Sequence, residues 1–489
     1  MSLEDIRNDR LKKLALIKEL AIDPYPATSG RTISIGDLLA SFDRREEAKE
    51  EVTIAGRVMA IREHGGTAFA DVYDGTGNVQ GYLKKDIMGD EAFDLFIKTI
   101  DIGDFVDVTG TPVHTKRGEA SVEAKGWNIL SKSLRSLPEK WVGITDAEER
   151  LRRRYLDILT NPKAREIVEK RSVFWNTART FLLNKGYVEV ETPTLETIPG
   201  GADAEPFITH HNALDIDVYL RISAGELWQK KLMVAGVPKT FEIGRIFRNE
   251  GMSHEHLQDY TQLEFYEAYA DYEYGMKLVR ELYILLARET FGTTAFTIDE
   301  HEIELDTEWP VIDFSTAIFD TYGVDPLKVS EKEAVALYEK TYPKAPKPDS
   351  RERAIDGLWK KIRKDMCGPA FLIGVPVFLE PLAKRSRNNP DVVERFQVIL
   401  AGSEMGKGFS ELNDPQDQAG RFADQEALRE KGDKEAQRAD ADFVEALEYG
   451  MPPTFGFGVS ERLFSFLMNL NVREGQIFPL MKPRNEQGQ

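Results

Sequence analysis

Arg248 and Glu250 stand at the end of one predicted strand. They follow Phe241, Ile243, Ile246 and Phe247 and precede Tyr260, Leu263, Phe265 and Tyr266 in the stretch FEIGRIFRNEGMSHEHLQDYTQLEFYEAY, residues 241–269. Apolar and aromatic strand formers on both sides of a polar segment containing Gly251 and Ser253 predict an antiparallel hairpin with a long loop. A guanidinium at the end of the first strand suits the task of holding a carboxylate and a phosphate of two reactants together. An ion pair on the surface of an ordinary hairpin would use the same two residue types.

Other elements must position such a hairpin. Between Glu51 and Lys132 the segments VTIAGRVMAIR, FADVYD, NVQGYL, DFVDVTGTPVHT and ASVEAKGWNIL read as five short strands, with a helical stretch from Asp86 to Thr99 between the third and the fourth. That order predicts an OB-fold barrel, an architecture often used for single-stranded nucleic acid. Phe69 and Gln80 then fall on adjacent strands, one to stack on a base and the other to bond its edge, with Arg62 near for phosphate. The alternative is that Phe69 belongs to the barrel core. Ahead of the barrel, Arg7, Arg10, Lys12, Lys13 and Lys18 interleave with Leu11, Leu14, Ile17 and Leu20 on a helix that should stop near Asp23–Pro26. They form either a basic face or the solvated side of an amphipathic helix.

The 489 residues, 41% of them hydrophobic, suffice for more than one domain with sizeable cores. One cysteine, Cys367, excludes an intramolecular disulfide framework and points to a reducing, cytoplasmic compartment. The first residues are charged from Glu4 onward, and no run approaches a membrane span. The formal charge of −19 would argue against a nucleic-acid partner, but the stretch through Lys140 holds 20 basic against 24 acidic residues, so most of the acid excess lies beyond it. Two nucleotide signatures fail: Gly456–Glu461 lacks the third glycine of a dinucleotide fingerprint, and Gly402–Lys407 is one residue short of a P-loop.

Three segments together carry a resemblance. The hairpin stretch resembles motif 2 of the class II aminoacyl-tRNA synthetases; GYVEVETPTLETIPGGA, with Pro193, resembles motif 1; and PPTFGFGVSERLFSFLMNL resembles motif 3. With a first helix ending in DPYP and a barrel opening VTIAGR, the chain resembles bacterial lysyl-tRNA synthetases over nearly its whole length. The resemblance implies an α+β protein: a helical extension over 1–50, a five-stranded OB-fold anticodon-binding domain over 51–135, and a class II catalytic domain over 136–489 with a central antiparallel β-sheet flanked by helices. It implies a homodimer joined at the motif 1 segment, which follows a helix over about Ala164–Asn184. In EERLRRRYLDIL, after a linker near Trp141, Arg150, Arg152, Arg153 and Arg154 would lie against RNA or a partner subunit, or simply in solvent.

The same resemblance assigns roles. Arg248 and Arg462 are the catalytic arginines, on the α- and γ-phosphates of ATP; Glu250, His256, Tyr260 and Glu404 complete the ATP site, with Tyr260 stacked on adenine. Gly201, Glu226, Glu264, Tyr266, Lys407, Phe409 and Glu411 surround L-lysine, Glu226 at its α-amino group and Tyr266 with Glu411 at its ε-ammonium. A cationic side chain in a dry pocket needs such an anion. Phe69 and Gln80 read anticodon uridines of tRNA(Lys). Mg²⁺ would bridge the phosphates from Glu404 and Gln397.

Four departures from the family pattern accompany these roles. Gln397 replaces a carboxylate of the metal site, Lys407 replaces an asparagine, and one extra residue precedes both Glu226 and Arg462. The competing expectations are an aspartate- or asparagine-specific relative, a ligase that modifies a translation factor, and a non-catalytic RNA-binding paralogue. The segment 329–369 reads as amphipathic helices without identifiable chemistry.

Overall fold

A computed structural model describes residues 2–138, 143–251, 253, 256–430 and 437–484; the linker expected near Trp141 lies outside them. The chain divides into two compact units, Met1–Arg150 with Tyr155–Thr160, and Leu151–Arg154 with Asn161 onward.

In the first unit β1 (Val52–His64), β2 (Thr67–Tyr73), β3 (Asn78–Lys84), β4 (Phe105–His114) and β5 (Ala120–Ser131) close into a barrel in the order β1-β2-β3-β5-β4. Alternation drives the closure: Ala68, Ala70 and Val72 of β2 point inward with Ile54, Val58, Val79, Leu83, Val106, Val108 and Val122, all at most 2% exposed. Each large aliphatic side chain so buried contributes about 1.5–3 kcal/mol. The helix Asp90–Thr99 covers the barrel with Phe93 and Phe96. Gly89, at φ +86°, separates it from a short turn of helix at Lys85–Met88.

The first helix, Leu3–Glu19, stops four residues before Asp23. Two of its basic residues are structural. Arg10 is buried and donates to Ser133 Oγ (2.6 Å) and to the carbonyls of Ile102 (2.8 Å) and Arg135 (3.0 Å), while Lys13 pairs with Asp101 at 2.7 Å. The expected basic face is therefore reduced to Arg7, Lys12 and Lys18.

The second unit is built on an eight-stranded sheet. Its strands are β6 (Val188–Glu189), β7 (Lys239–Phe247), β8 (Asp259–Ala268), β9 (Val311–Asp313), β10 (Ala370–Ile373), β11 (Arg395–Leu400), β12 (Ser403–Ser410) and β13 (Thr454–Ser460), in the order β9-β10-β11-β12-β13-β8-β7-β6. The six central strands are antiparallel, and only the edge strands β6 and β9 run parallel to their neighbours. The β7–β8 hairpin pairs without a register break from Lys239↔Glu267 to Phe247↔Asp259.

One face of this sheet is apolar: Phe241, Leu263, Phe265, Phe396, Val398, Phe455 and Phe457 pack with Phe174, Ala178 and Leu182 of the helix Pro162–Asn184 and with Leu278, Val279, Leu282 and Tyr283 of the helix Tyr272–Phe291. The alternate residues of the same strands project from the other face, where the polar side chains gather. The helices Glu331–Thr341 and Arg351–Ile362 form over 329–369 and bury Ala334, Val335, Ala354, Leu358 and Trp359 in a second core.

Three arginines of the run are tied to other groups, while Arg153 is exposed. Arg154 is 1% exposed and donates to the carbonyl of Glu474 (2.6 Å), Arg152 donates to that of Lys482 (2.9 Å), and Arg150 reaches Asp157 at 3.1 Å.

Candidate functional site

The polar face of the sheet borders a cavity of about 410 Å³. All fourteen residues expected around ATP, lysine and metal line it, from Gly201 and Glu226 through Arg248, Glu264 and Gln397 to Glu411 and Arg462. On β8, Leu263 and Phe265 enter the core while Glu264 and Tyr266 face the cavity; on β13, Phe455 and Phe457 enter the core while Gly456 and Gly458 floor the cavity. Glycine is required at 456, since a Cβ there would lie 2.0 Å from Glu411 Oε1 and 2.5 Å from the Tyr266 ring. A bulge on β12, where Met405 and Gly406 (φ +109°) stand opposite the single residue Val398 of β11, shifts the phase of β12. Glu404 and Lys407, which simple alternation would put on opposite faces, both line the cavity as a result.

The positions where departures were expected are each tied into the structure locally. Gly225, just before Glu226, takes φ +76° with no room for a Cβ beside Thr192 and caps the helix Glu226–Val234. Before Arg462, Glu461 is 1% exposed; it accepts from Arg171, from Gln476 Nε2 (2.8 Å) and from the backbone N–H of Thr261 (3.2 Å), fixing the start of the helix Arg462–Leu467. Lys407 reaches Glu380 at 3.2 Å.

The amide of Gln397 is occupied on both sides, with Oε1 accepting from Arg395 and Nε2 donating to the carbonyl of Gly406 (2.9 Å). Glu404 accepts from Trp359 Nε1 at 3.0 Å and lies 3.5 Å from Arg363. Burial would raise its carboxyl, but Arg363 and Arg395 hold it below the usual range. The donor set thus fits a cation held by one carboxylate together with substrate phosphates, with Gln397 turned away from that task.

Arg248 begins the loop just beyond β7, its Nε donating to the carbonyl of Ile222 (3.2 Å) and its guanidinium 5.8 Å from the centre of the Tyr260 ring. His256 bonds Ser253 Oγ at 2.7 Å. Deeper in, Glu264 accepts from the N–H of Ala224 (2.9 Å) and from the Tyr266 hydroxyl (3.0 Å); burial, with Glu226 close by, raises its carboxyl to about 7. Glu411 is 1% exposed, and its Oε1 has no hydrogen-bond partner among the described residues. Burial raises it to about 8, against the pull of Lys230 and with the push of Glu226 and Glu264.

Lys230 went unrecognised in the sequence. Its ammonium, fully buried, lies 2.7 Å from Glu226 Oε1 and 2.5 Å from Glu411 Oε2. The signal was its place four residues after Glu226 on one helix face. Trp359, Arg363, Glu380, Arg395 and Glu461 were missed as well, and no local pattern marks them.

On the barrel, Phe69 is not in the core. Ala68 and Ala70 point inward, whereas Phe69 is half-buried on the outer face with its ring stacked on Tyr82, centroids 4.9 Å apart and planes 7° from parallel. The register sets Arg62 opposite Phe69 and Asp71 opposite Gln80. Arg62 is held bidentately by Asp71 (2.8 and 3.1 Å), and Gln80 accepts from Ser121 Oγ at 3.0 Å.

Comparison with known proteins agrees with both regions. The family described as "tRNA synthetases class II (D, K and N)" matches residues 146–482, and the "OB-fold nucleic acid binding domain" matches residues 52–130. The lysine–tRNA ligase of Roseiflexus sp. (strain RS-1) is 43% identical over 99% of this chain and all of its own length. The chain belongs to the lysine–tRNA ligase family of class II aminoacyl-tRNA synthetases. The Moorella thermoacetica lysine–tRNA ligase is 44% identical over 99% of both chains, and that of Oceanobacillus iheyensis 43% over 97% of this chain and 98% of its own. This membership accounts for the barrel, the hairpin and the glycine-floored sheet as parts of one enzyme. Among the described residues no helix is long and apolar enough to cross a membrane.

Proposed function

We propose that the cavity joins lysine to ATP as lysyl-adenylate, releasing pyrophosphate, and then passes the lysyl group to the 3′ end of tRNA(Lys), releasing AMP. The observation that carries the choice of amino acid is Glu411: a buried carboxylate with an unpartnered oxygen, at the end of a pocket that also holds Glu226, Glu264 and Tyr266. Lys230 occupies only Oε2, so an aspartate or asparagine side chain would bring no cation to the remaining buried oxygen, and the relatives named above are all lysine enzymes.

The chemistry needs little acid or base. The lysine carboxylate attacks the α-phosphate, and Arg248 binds both groups, holding them in reach and stabilising the charge that develops between them. Glu226 takes the α-ammonium, next to Gly201 and Glu264; Glu411 and the Tyr266 hydroxyl take the ε-ammonium, with Phe409 walling the aliphatic stem. Tyr260 stacks on adenine, Glu250 and His256 border the nucleotide, and Arg462 meets the γ-phosphate. Mg²⁺, held by Glu404 and the phosphates, supplies neutralising charge when bound.

The domain limits 1–50, 51–135 and 136–489 belong to this reading, with Phe69, Gln80 and Arg62 as anticodon contacts. So do a homodimer and a cytoplasmic location. The dimer is supported by the exposure of Leu183, Val188 and Leu195, on and flanking the edge strand β6 in sequence.

Amino-acid-dependent ATP–pyrophosphate exchange tests the reading, with lysine compared against aspartate, asparagine and arginine. Exchange with lysine alone is the expected result, and preference for another amino acid overturns it. Absence of exchange with every one, tRNA included, would favour the non-catalytic alternative.

A further inference from the structure

The lysine pocket contains a lysine of its own. Lys230 projects from the helix Glu226–Val234 and touches Glu226 on its own helix and Glu411 at the end of β12, with the rings of Phe409 and Phe443 5.4 and 5.9 Å from its ammonium. Burial penalises that charge, but the two carboxylates more than compensate and keep Lys230 protonated. The groups facing Glu411 are few: Lys230 and Glu226 from the helix, Glu264 and Tyr266 from β8, and the bare backbone of Gly456 from β13. Arg248 acts on Glu264 from the hairpin loop.

We propose that Lys230 is a specificity-determining positioning residue: its ammonium bridges Glu226 and Glu411, so that the pocket's three carboxylates keep two negative charges for a substrate that brings two ammonium groups. Lys230 takes one oxygen of each carboxylate and leaves Glu411 Oε1, which lies against Gly456 on the cavity floor, without a hydrogen-bond partner among the described residues. An amino acid with an apolar side chain brings a single ammonium and leaves one buried carboxyl without its cation, either protonated and unpartnered or charged and unmatched. The inference rests on the lysine-activation reading above.

It has a consequence in protons. With the pocket empty, three carboxylates share one internal cation, and Glu411 and Glu264 carry protons near neutrality because burial raises both. Lysine expels those protons when its ammonium groups replace them. Affinity for lysine therefore falls as pH drops below about 8, where Glu411 is protonated and the proton must be removed on binding.

The test begins with the unmodified full-length protein. Calorimetry of lysine binding at pH 7 in two buffers of different ionisation enthalpy should report the release of roughly one to two protons. Lys230→Met keeps the side-chain length and removes the charge. It should raise the KM for lysine by about 30-fold at pH 7 with the KM for ATP unchanged, narrow that gap toward pH 9, and weaken discrimination against norleucine. Lys230→Arg should recover part of the loss. Should Lys230→Met fail to fold by circular dichroism, the proton count and Lys230→Arg decide.

Lysine binding without proton release, or a Lys230→Met enzyme that binds lysine as well as or better than the unmodified one, overturns the proposal. An unmodified protein that does not activate lysine instead overturns the reading beneath it.

Discussion

The cavity of the catalytic unit and the outer face of the barrel both assemble polar and aromatic side chains on β-strands, but by different means. In the cavity, Glu411, Lys230, Glu226 and Glu264 are buried; Lys230 ties Glu411 to Glu226 of its own helix, and the backbone N–H of Ala224 holds Glu264. On the barrel, strand register brings Arg62, Phe69, Asp71, Gln80 and Tyr82 side by side, and the neighbours it supplies hold them: Asp71 for Arg62, Ser121 for Gln80 and the Tyr82 ring for Phe69. The first arrangement fixes charges where water is scarce, so removing one group leaves another unpaired. The second offers a flat lattice of stacking and hydrogen-bonding groups, where a lost contact costs roughly what that contact gives.

The largest effect should therefore come from the cavity. Arg248→Ala removes the group that binds both reacting species, and pyrophosphate exchange should lose about 10³-fold in kcat with the melting temperature unchanged. Glu411→Gln should act mainly on lysine, raising its KM about 100-fold while the KM for ATP stays within twofold, because Lys230 loses a partner and the ε-ammonium loses its anion. The pH dependence of lysine binding assigned to Glu411 should shrink with it. Were Glu411→Gln to affect ATP as strongly as lysine, the division of the cavity into two subsites would fail.

Phe69→Ala sharpens the other side of the comparison. Loss of one stacked base should raise the KM for tRNA about tenfold and leave tRNA-independent exchange at its original rate. A fall in exchange would mean that the barrel face supports folding of the chain rather than RNA binding.

The contrast also explains what could be read from the sequence. A period of two is a local signal, so the five barrel strands, the outward placement compatible with Phe69 and Gln80, and the hairpin carrying Arg248 were all accessible. The motif-like segments then brought the cavity residues together as a set. Lys230 was hidden in the helix ELWQKKLMV, where its spacing of four from Glu226 is all that distinguishes it from the adjacent Lys231. The basic residues Arg10 and Arg154 misled for the opposite reason: a guanidinium that caps distant carbonyls looks in sequence like one bathed in water. Glu404 and Lys407 share a face only because of a bulge, which shifts phase without a residue pattern that announces it. Trp359 and Arg363, which hold Glu404, come from the stretch where no chemistry was legible.

The smallest effect expected concerns Gln397, where the cavity comes closest to the barrel's tolerance. Its amide serves Arg395 and Gly406, and opposite it stands Lys407, paired with Glu380. Gln397→Glu adds a second carboxylate to the cavity that Glu404 lines and should lower the half-saturating magnesium concentration for exchange by about three- to tenfold. The same change deprives the Gly406 carbonyl of its donor, a loss of about 1–3 kcal/mol that thermal unfolding would register. Tighter magnesium use with a lowered melting temperature would place Gln397 at the metal and explain what the amide contributes: a rigid β11–β12 bulge in exchange for charge. A magnesium curve that does not move would detach Gln397 from the metal and leave Glu404 as the protein's single anionic ligand.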